Sequence, residues 1–192
     1  MCTYIRDLLE RIEQIIRGCV RNDRACQEKL YKQFYVPLFC LCRKYFRHDH
    51  DAIESVNDGM LKVFSSIHTY REDRGKFFNW VYTIVRNTAL DKIRSRRSNL
   101  FPIDYLDGIE DMHDRANGHN PLIALEGKDL FCLLDQLSPA TRVICNLYYL
   151  EGYQIREIAR QLEISEGTVK WQLSEGRKKL RIVFAKNFNE RP

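Results

Sequence analysis

Hydrophobic residues recur every three or four positions along almost the whole of this chain of 192 residues. That spacing puts them on one face of an α-helix, whereas a half-buried β-strand needs strict alternation, which no segment sustains. In the N-terminal half, the stripes run from Tyr4 to Cys19, from Leu30 to Tyr45, from Ala52 to Phe64 and from Lys76 to Ile93. The pattern therefore predicts an all-α fold.

The helical pattern is interrupted once, between Asn99 and Pro121. This stretch includes Pro102, Gly108 and Gly118 and shows no sustained period, which is typical of a linker. Its charged residues are mostly acidic: Asp104, Asp107, Glu110, Asp111 and Asp114 against Arg115. We therefore predict two small helical domains, residues 1–98 and 122–192, joined by a flexible acidic linker of residues 99–121.

Basic residues cluster near the end of each predicted domain, although the net charge is only +5. Residues 86–97 carry five cations against Asp91, and residues 170–186 carry six against Glu175. Two basic segments on either side of an acidic middle favour two surfaces that contact one polyanion. Two solvated helix faces remain the alternative.

The composition argues against a membrane-embedded or secreted protein. No apolar run approaches the ~20 residues of a membrane span, and the N-terminus mixes charges into its apolar residues, unlike a signal peptide. We expect a cytoplasmic protein without membrane insertion. Its cysteines are then expected to be reduced, with Cys26, Cys132 and Cys145 as core thiols inside helices.

The strongest local pattern lies between Tyr153 and Leu180. Its first part is a short amphipathic helix with apolar positions Ile155, Ile158, Ala159 and Leu162. A tight turn follows, and Ser165 is a good N-cap for a second helix that would bury Val169 and Leu173. Two short helices with a basic second member predict a helix-turn-helix, whose second helix fits the major groove of DNA. A plain helical hairpin is the alternative, although an outward Trp171 is hard to justify in it.

The outward face of the second helix carries side chains suited to DNA. Lys170, Arg177 and Lys178 supply attraction to phosphates. Trp171, Ser174 and Glu175 can reach base edges, and a glutamate can accept a hydrogen bond from a cytosine amino group.

Four segments of the C-terminal half resemble region 4 of extracytoplasmic-function (ECF) sigma factors. They are Leu134-Asp-Gln-Leu-Ser-Pro-Ala-Thr-Arg, Gly152-Tyr-Gln-Ile-Arg-Glu-Ile-Ala, Ser165-Glu-Gly-Thr-Val-Lys and Gly176-Arg-Lys-Lys-Leu-Arg. The resemblance implies that this domain recognises the −35 promoter element through Thr168, Lys170, Trp171, Ser174, Glu175, Arg177 and Lys178. The family commonly has serine at the position of Trp171 and arginine at that of Glu175. The −35 sequence of a known family member can therefore not be assumed for this chain.

The N-terminal half extends the resemblance over nearly the whole chain. The segment from Asp51 to Phe64 is similar to the region 2.2 helix, which in the family docks on the clamp helices of the largest polymerase subunit. The polar face implied to bind the polymerase core is Glu54, Asn57, Asp58 and Lys62. These positions lie three or four apart and so share one face of a helix.

The segment from Phe77 to Arg94 resembles regions 2.3 and 2.4, which contact and open the −10 element. In the family, the loop corresponding to Ser65–Lys76 holds a base flipped out of the duplex, and Tyr70 is a plausible wall for it. The implied −10 residues are Thr69, Tyr70, Arg71, Asn87, Arg94, Arg96 and Arg97. Trp80 lies inside an apolar stripe, so core packing is favoured over a role in DNA melting.

The resemblance as a whole implies a non-enzymatic sigma factor that directs promoter-specific transcription initiation. Its implied partners are RNA polymerase core, promoter DNA and an anti-sigma factor. We expect no catalytic residues, no cofactor and no metal; His48-Asp49-His50-Asp51 resembles part of a hydrolase metal site but lacks the further ligands such a site needs.

Two rival functions stay open at this point. A dimeric helix-turn-helix activator with an N-terminal sensor domain explains the C-terminal pattern but not the basic segment that ends at Arg97. The second rival is an enzyme with an appended helix-turn-helix, either a DNA recombinase or an HD-type hydrolase.

The acidic linker suggests a further hypothesis about the free protein. Asp104, Asp107, Asp111 and Asp114 can screen the two basic surfaces if the C-terminal domain folds back on the first. We expect such a compact free state to loosen as ionic strength rises past about 0.15 M, where screening acts over ~8 Å.

Overall fold

The computed structural model describes residues 12–102 and 127–188. In these ranges every regular element is helical, which confirms the predicted all-α class. The α-helices are α1 (12–20), α2 (Arg24–Tyr45), α3 (Asp49–Ser66), α4 (Phe77–Ser95), α5 (Arg97–Leu100), α6 (Gly127–Asp135), α7 (Pro139–Cys145), α8 (Ile155–Leu162) and α9 (Glu166–Phe188). Two short 3₁₀ turns join α3 to α4, and a π-helical turn, Asn146–Leu150, follows α7.

The described residues form two compact units. The first contains residues 12–42 and 52–89, and the second contains residues 43–51, 90–102 and 127–188. Most of the predicted linker, with its four aspartates, lies outside the described residues, as do the first residues of the predicted Tyr4–Cys19 helix. At its start, Asn99 and Leu100 belong to α5 and Phe101 is buried, so helical order extends past residue 98.

Apolar and aromatic side chains fill the first unit, as the helical stripes predict. Leu30 and Leu38 of α2 are fully buried. The ring of Phe34 packs against those of Phe77 and Phe78, with centroids 6.0 and 5.2 Å away. Helices α3 and α4 approach so closely at Gly59 that a Cβ there would lie 3.0 Å from the Cα of Val85, which is why a glycine suits this crossing.

Helices α7, α8 and α9 form the core of the second unit around Ile144, Leu147, Ile158 and Leu173, each fully buried. Helix α7 begins at an N-cap where the Ser138 hydroxyl accepts the backbone N–H of Thr141 at 3.2 Å. With Pro139 in its first turn, α7 starts where the sequence chemistry favours a start.

An arginine lies at the centre of the second unit. The side chain of Arg142 has no exposed surface, and its Nη1 donates to Asp135 at 2.6 Å. Its Nε donates to the carbonyl oxygen of Lys44 and its Nη2 to that of Arg43, both in the last turn of α2. Carbonyl groups in the last turn of a helix lack hydrogen-bond donors within that helix. The guanidinium supplies the donors, and the carbonyls supply the acceptors that a buried guanidinium needs.

The six described cysteines are free thiols. Cys145 is buried, but Cys132 is exposed, so the prediction that Cys132 is a core thiol is wrong. Its position three residues before the end of α6 leaves it on the outer face. None of the helices in the described ranges has the length and apolarity required to cross a bilayer.

Candidate nucleic-acid interface

Helices α8 and α9 form the predicted helix-turn-helix. Helix α8 begins with a capping box in which the Glu157 carboxylate accepts the backbone N–H of Gln154 at 2.8 Å. It ends at Glu163, whose φ of 55° is left-handed and turns the chain toward α9. The Ser165 hydroxyl then accepts the backbone N–H of Thr168 at 3.1 Å, which confirms Ser165 as the cap of α9.

The inner face of α9 is fixed against the rest of its unit. Val169 and Leu173 are fully buried, as predicted. Gln172 is also buried, and its side-chain oxygen accepts a hydrogen bond from the Thr141 hydroxyl at 2.6 Å. Thr168, which the resemblance assigns to DNA, is 1% exposed, and its hydroxyl shares a hydrogen bond with Ser165. Thr168 therefore positions the start of α9 and does not present its side chain outward.

The remaining −35 positions follow the outer face of α9. Lys170, Trp171, Ser174 and Glu175 are partly exposed, and Arg177 and Lys178 are exposed. Lys178 donates to the carboxylate of Glu175 at 2.8 Å, with 70% and 41% of the two side chains exposed. The glutamate predicted to read a base is thus held beside the lysine predicted to contact a phosphate.

Tyr70 belongs to an aromatic cluster at the start of α4. Its ring meets Phe77 edge-on at 4.9 Å and lies 5.7 Å from Trp80, which in turn stacks on Phe77. The Tyr70 hydroxyl donates to the carbonyl of Gly75 at 3.0 Å, and burial, with the nearby charge of Glu72, raises its pKa. The cluster holds one aromatic ring in a defined position beside the exposed residues Thr69 and Arg71. These ring contacts support the packing role predicted for Trp80.

The basic end of α4 is occupied by carboxylates and a carbonyl of the same unit. Arg94 Nε donates to the carbonyl oxygen of Gln161 at 3.0 Å, and Arg97 is ion-paired with Glu163. Arg96 bonds Asp51 at 3.0 Å. Asn87, the other −10 residue on α4 besides Arg94, is exposed in the first unit and accepts a hydrogen bond from Arg86.

The predicted core-binding residues lie together on the solvent side of α3. Glu54, Asn57, Asp58 and Lys62 are all exposed, whereas Val56, Met60 and Val63 on the other side are buried. Asn57 accepts a hydrogen bond from the hydroxyl of Tyr31 at 2.7 Å, which fixes its amide. Leu61, 65% exposed, adds apolar surface to this face.

Arg142, Glu163 and Tyr31 are the site-related residues that sequence reasoning missed. The apolar run Val143-Ile-Cys that directly follows Arg142 is a signal that could have marked this arginine for burial. Burial acts to raise the pKa of Asp135, but the hydrogen bond and charge of Arg142, with the charge of Arg43, outweigh it and lower that pKa. No local pattern links Glu163 to Arg97, because the two are 66 positions apart.

Sequence comparison finds two regions of sigma factors in this chain. Residues 30–99 match Sigma-70 region 2, and residues 128–180 match Sigma-70 region 4. The ECF RNA polymerase sigma factor SigE of Mycolicibacterium smegmatis is 30% identical over 168 residues, which cover 85% of this chain and 63% of SigE. The ECF RNA polymerase sigma factor SigM of Mycobacterium tuberculosis is 26% identical over 167 residues, which cover 87% of this chain and 81% of SigM.

Among solved structures, the sigma factor RpoE of Bartonella quintana in complex with the anti-sigma factor NepR is similar, with 18% identity and a TM-score of 0.44. That match covers 83% of this chain and 97% of RpoE. The decisive findings are the sequence matches to both sigma-70 regions in one chain and the similarity of that chain to ECF sigma factors. The chain therefore belongs to the ECF family of RNA polymerase sigma factors.

Proposed function

We propose that this protein binds RNA polymerase core and directs it to specific promoters by recognising their −10 and −35 elements. The observation that carries the proposal is the presence of regions 2 and 4 in a single chain. The protein is then a non-enzymatic initiation factor acting in the cytoplasm, and RNA synthesis is carried out by the polymerase. A dimeric activator would leave the region 2 match unexplained.

At the −35 element, α9 enters the major groove, which admits a single α-helix. Arg177, Lys178 and Lys170 bind phosphates, while Trp171, Ser174 and Glu175 face the base edges. Since Lys178 lies 2.8 Å from Glu175, DNA binding moves the lysine to a phosphate and releases the carboxylate for a cytosine amino group. Thr168 acts through the cap at Ser165, which fixes the first turn of α9.

At the −10 element, the aromatic cluster around Tyr70 provides a stacking wall for an unpaired base. Taking a base out of the duplex costs a few kcal/mol, and stacking on an aromatic side chain returns about 1–3 kcal/mol per base. Thr69 and Arg71 lie beside the wall. The remaining residues of this site, Asn87, Arg94, Arg96 and Arg97, bind the DNA backbone.

The exposed face of α3 docks on the polymerase. Glu54, Asn57, Asp58 and Lys62 form its polar part and match the family's core-binding positions. The Tyr31 hydroxyl, 2.7 Å from the Asn57 side-chain oxygen, holds that amide in one orientation before docking. A preorganised interface loses less side-chain entropy on binding.

We propose a first domain that extends through the buried Phe101, three residues past the predicted limit of 98, and a second domain of residues 122–192, with a linker between them. Once region 2 is bound to the polymerase, the second DNA contact becomes intramolecular, so two weak contacts give one strong one. An anti-sigma factor, as the family resemblance implies, would control access to the core.

A transcription and capture experiment tests the proposal. Purified core polymerase with the wild-type chain should give transcripts that core alone does not. Asp58→Lys should abolish capture of core while circular dichroism stays unchanged, because like charges brought together at an interface cost several kcal/mol. Asp73→Lys makes the same charge change at an exposed residue outside the α3 face and should leave capture intact. Absence of any chain-dependent transcript, or undiminished capture by Asp58→Lys, contradicts the proposal.

A further inference from the structure

Two arginines at the end of region 2 are bound to the helix-turn-helix turn of the same unit. Arg94 Nε donates to the carbonyl oxygen of Gln161 at 3.0 Å and lies 3.7 Å from the Glu163 carboxylate. Arg97 donates to the other oxygen of that carboxylate. The carboxylate of Glu163 thus lies against two guanidinium groups, and Arg94 Nη1 also donates to Asp91 at 3.2 Å.

The position of Glu163 is set by the backbone and not by the ion pairs alone. Glu163 is the C-cap of α8, and its left-handed φ of 55° is stabilised by the bond from the Ile164 N–H to the Ala159 carbonyl at 3.1 Å. The carbonyl of Gln161 is among the last in α8, where unsatisfied carbonyl groups give the helix end a partial negative charge. The turn therefore presents a carboxylate and a carbonyl together, an anionic surface suited to arginine.

We propose that Glu163 is an internal competitor for DNA: its carboxylate occupies the guanidinium groups of Arg94 and Arg97 that would otherwise bind phosphate. This inference rests on the proposed function, which assigns both arginines to the −10 DNA backbone. Carboxylate and phosphate oxygens accept from the same kind of N–H donor and both neutralise the cation, so a bound carboxylate weakens the attraction of each arginine for phosphate. Arg96 is engaged in the same way by Asp51 at 3.0 Å.

The buried arginine supports this arrangement from the interior of the unit. Arg142 joins Asp135 of α6 to the carbonyls of Arg43 and Lys44 at the end of α2. Arg43 adds a second link to Asp135 at 3.3 Å. These contacts hold the second unit together independently of Glu163, so loss of the Glu163 carboxylate should release the DNA-binding arginines without unfolding it.

The competition is weak enough to be reversible. The side chains of Arg94, Arg97 and Glu163 are 37–53% exposed, so water and salt screen the pairs. Exposed pairs of this kind account for about a two- to fivefold change in an equilibrium. The contact between Glu163 and the two arginines therefore lowers the DNA affinity of the free protein modestly. It breaks readily when the polymerase holds DNA close to the arginines.

The test compares Glu163→Gln with Glu166→Gln in the full-length chain. Glu166 also pairs with an arginine, Arg156 at 3.6 Å, and its replacement removes the same charge from the adjacent helix. Binding of a fluorescent duplex of random sequence is measured by anisotropy at about 50 mM salt, where phosphate contacts dominate. We expect Glu163→Gln to bind about two- to fivefold more tightly than wild type and to exceed the gain of Glu166→Gln. In an Arg97→Ala background, the gain from Glu163→Gln should shrink, since the two residues act as a pair.

Equal gains from the two substitutions, or an undiminished gain in the Arg97→Ala background, overturn the inference. Run-off transcription with core polymerase separates this outcome from the proposed function. If wild-type protein supports no transcription with core, the proposed function fails, whatever the anisotropy shows. If it does support transcription and Glu163→Gln binds DNA no better than Glu166→Gln, only the inference fails.

Discussion

The two units differ in the polar side chains that they bury. Among the residues of the first unit that the structure describes, the buried polar side chains are the hydroxyls of Ser55 and Thr88. In the second unit they include Thr141, Arg142, Asn146, Thr168 and Gln172, and one of these is a fully buried cation. The first unit is held by apolar area, which is non-directional, and the second also by directional bonds.

The difference predicts how each unit tolerates change. An apolar core accepts many substitutions that keep its volume. A buried polar network fixes one geometry but leaves an uncompensated group when a single partner is removed. The interior of the unit that carries the helix-turn-helix is therefore the more sensitive to loss of a single polar partner.

The largest expected effect is loss of the buried ion pair. Asp135→Asn leaves Arg142 without its counter-charge and should lower the free energy of unfolding of the second unit by about 3 kcal/mol. Glu28→Gln breaks the Glu28–Lys32 pair in the first unit, which has the same 2.6 Å separation but lies 64–73% exposed, and should change little. Native-state hydrogen exchange resolves the two units. Equal losses of stability from Asp135→Asn and Glu28→Gln would contradict the difference between the two units.

A smaller effect is expected from replacing glycine by alanine at two close helix approaches, Gly59 in the first unit and Gly176 in the second. At Gly59 a new Cβ would lie 3.0 Å from the backbone Cα of Val85, which has no room to yield, so Gly59→Ala should cost about 2 kcal/mol. At Gly176 it would meet the Cys145 sulfur and a methyl of Thr141, which are side-chain atoms that can shift. Gly176→Ala should therefore cost about 1 kcal/mol. Urea unfolding followed by exchange in each unit gives the order, and the reverse order would contradict the packing described for α3 and α4.

The smallest effect is a difference between two helix caps in how their contribution to stability depends on pH. Ser165→Ala in the second unit should cost about 1 kcal/mol at any pH, because a hydroxyl does not titrate. In the first unit, Asp23 caps α2, and bonds from the backbone N–H groups of Cys26 and Ala25 lower its pKa. Its contribution is complete above the unfolded pKa of about 4 and is lost as the pH falls through the lower folded value. Asp23→Ala should thus destabilise at neutral pH and have no effect in strong acid; a pH-independent loss measured by exchange would refute this cap.

Local chemistry explains what the sequence could predict. The capped helix after Ser165 and the buried stripe at Ile155, Ile158 and Leu162 depend on neighbours within a few positions, and they were found where expected. Thr168 was assigned to DNA by resemblance, although its spacing from Val169 and Gln172 also fits the buried face. The pairing of Arg97 with Glu163 spans 66 positions, and only the assembled unit reveals it.

The bond from Arg142 to the end of α2 also has a consequence for synthesis of the chain. Lys44 leaves the ribosome 98 residues before the arginine that caps its carbonyl. At about 5–20 residues per second, the last turn of α2 is made roughly 5 to 20 s before its partner emerges. The first unit can be complete by then, whereas the second closes only when a segment from the C-terminal half returns to one made much earlier. Any slowing of translation between the two lengthens the interval in which that helix end is exposed to water and to other chains.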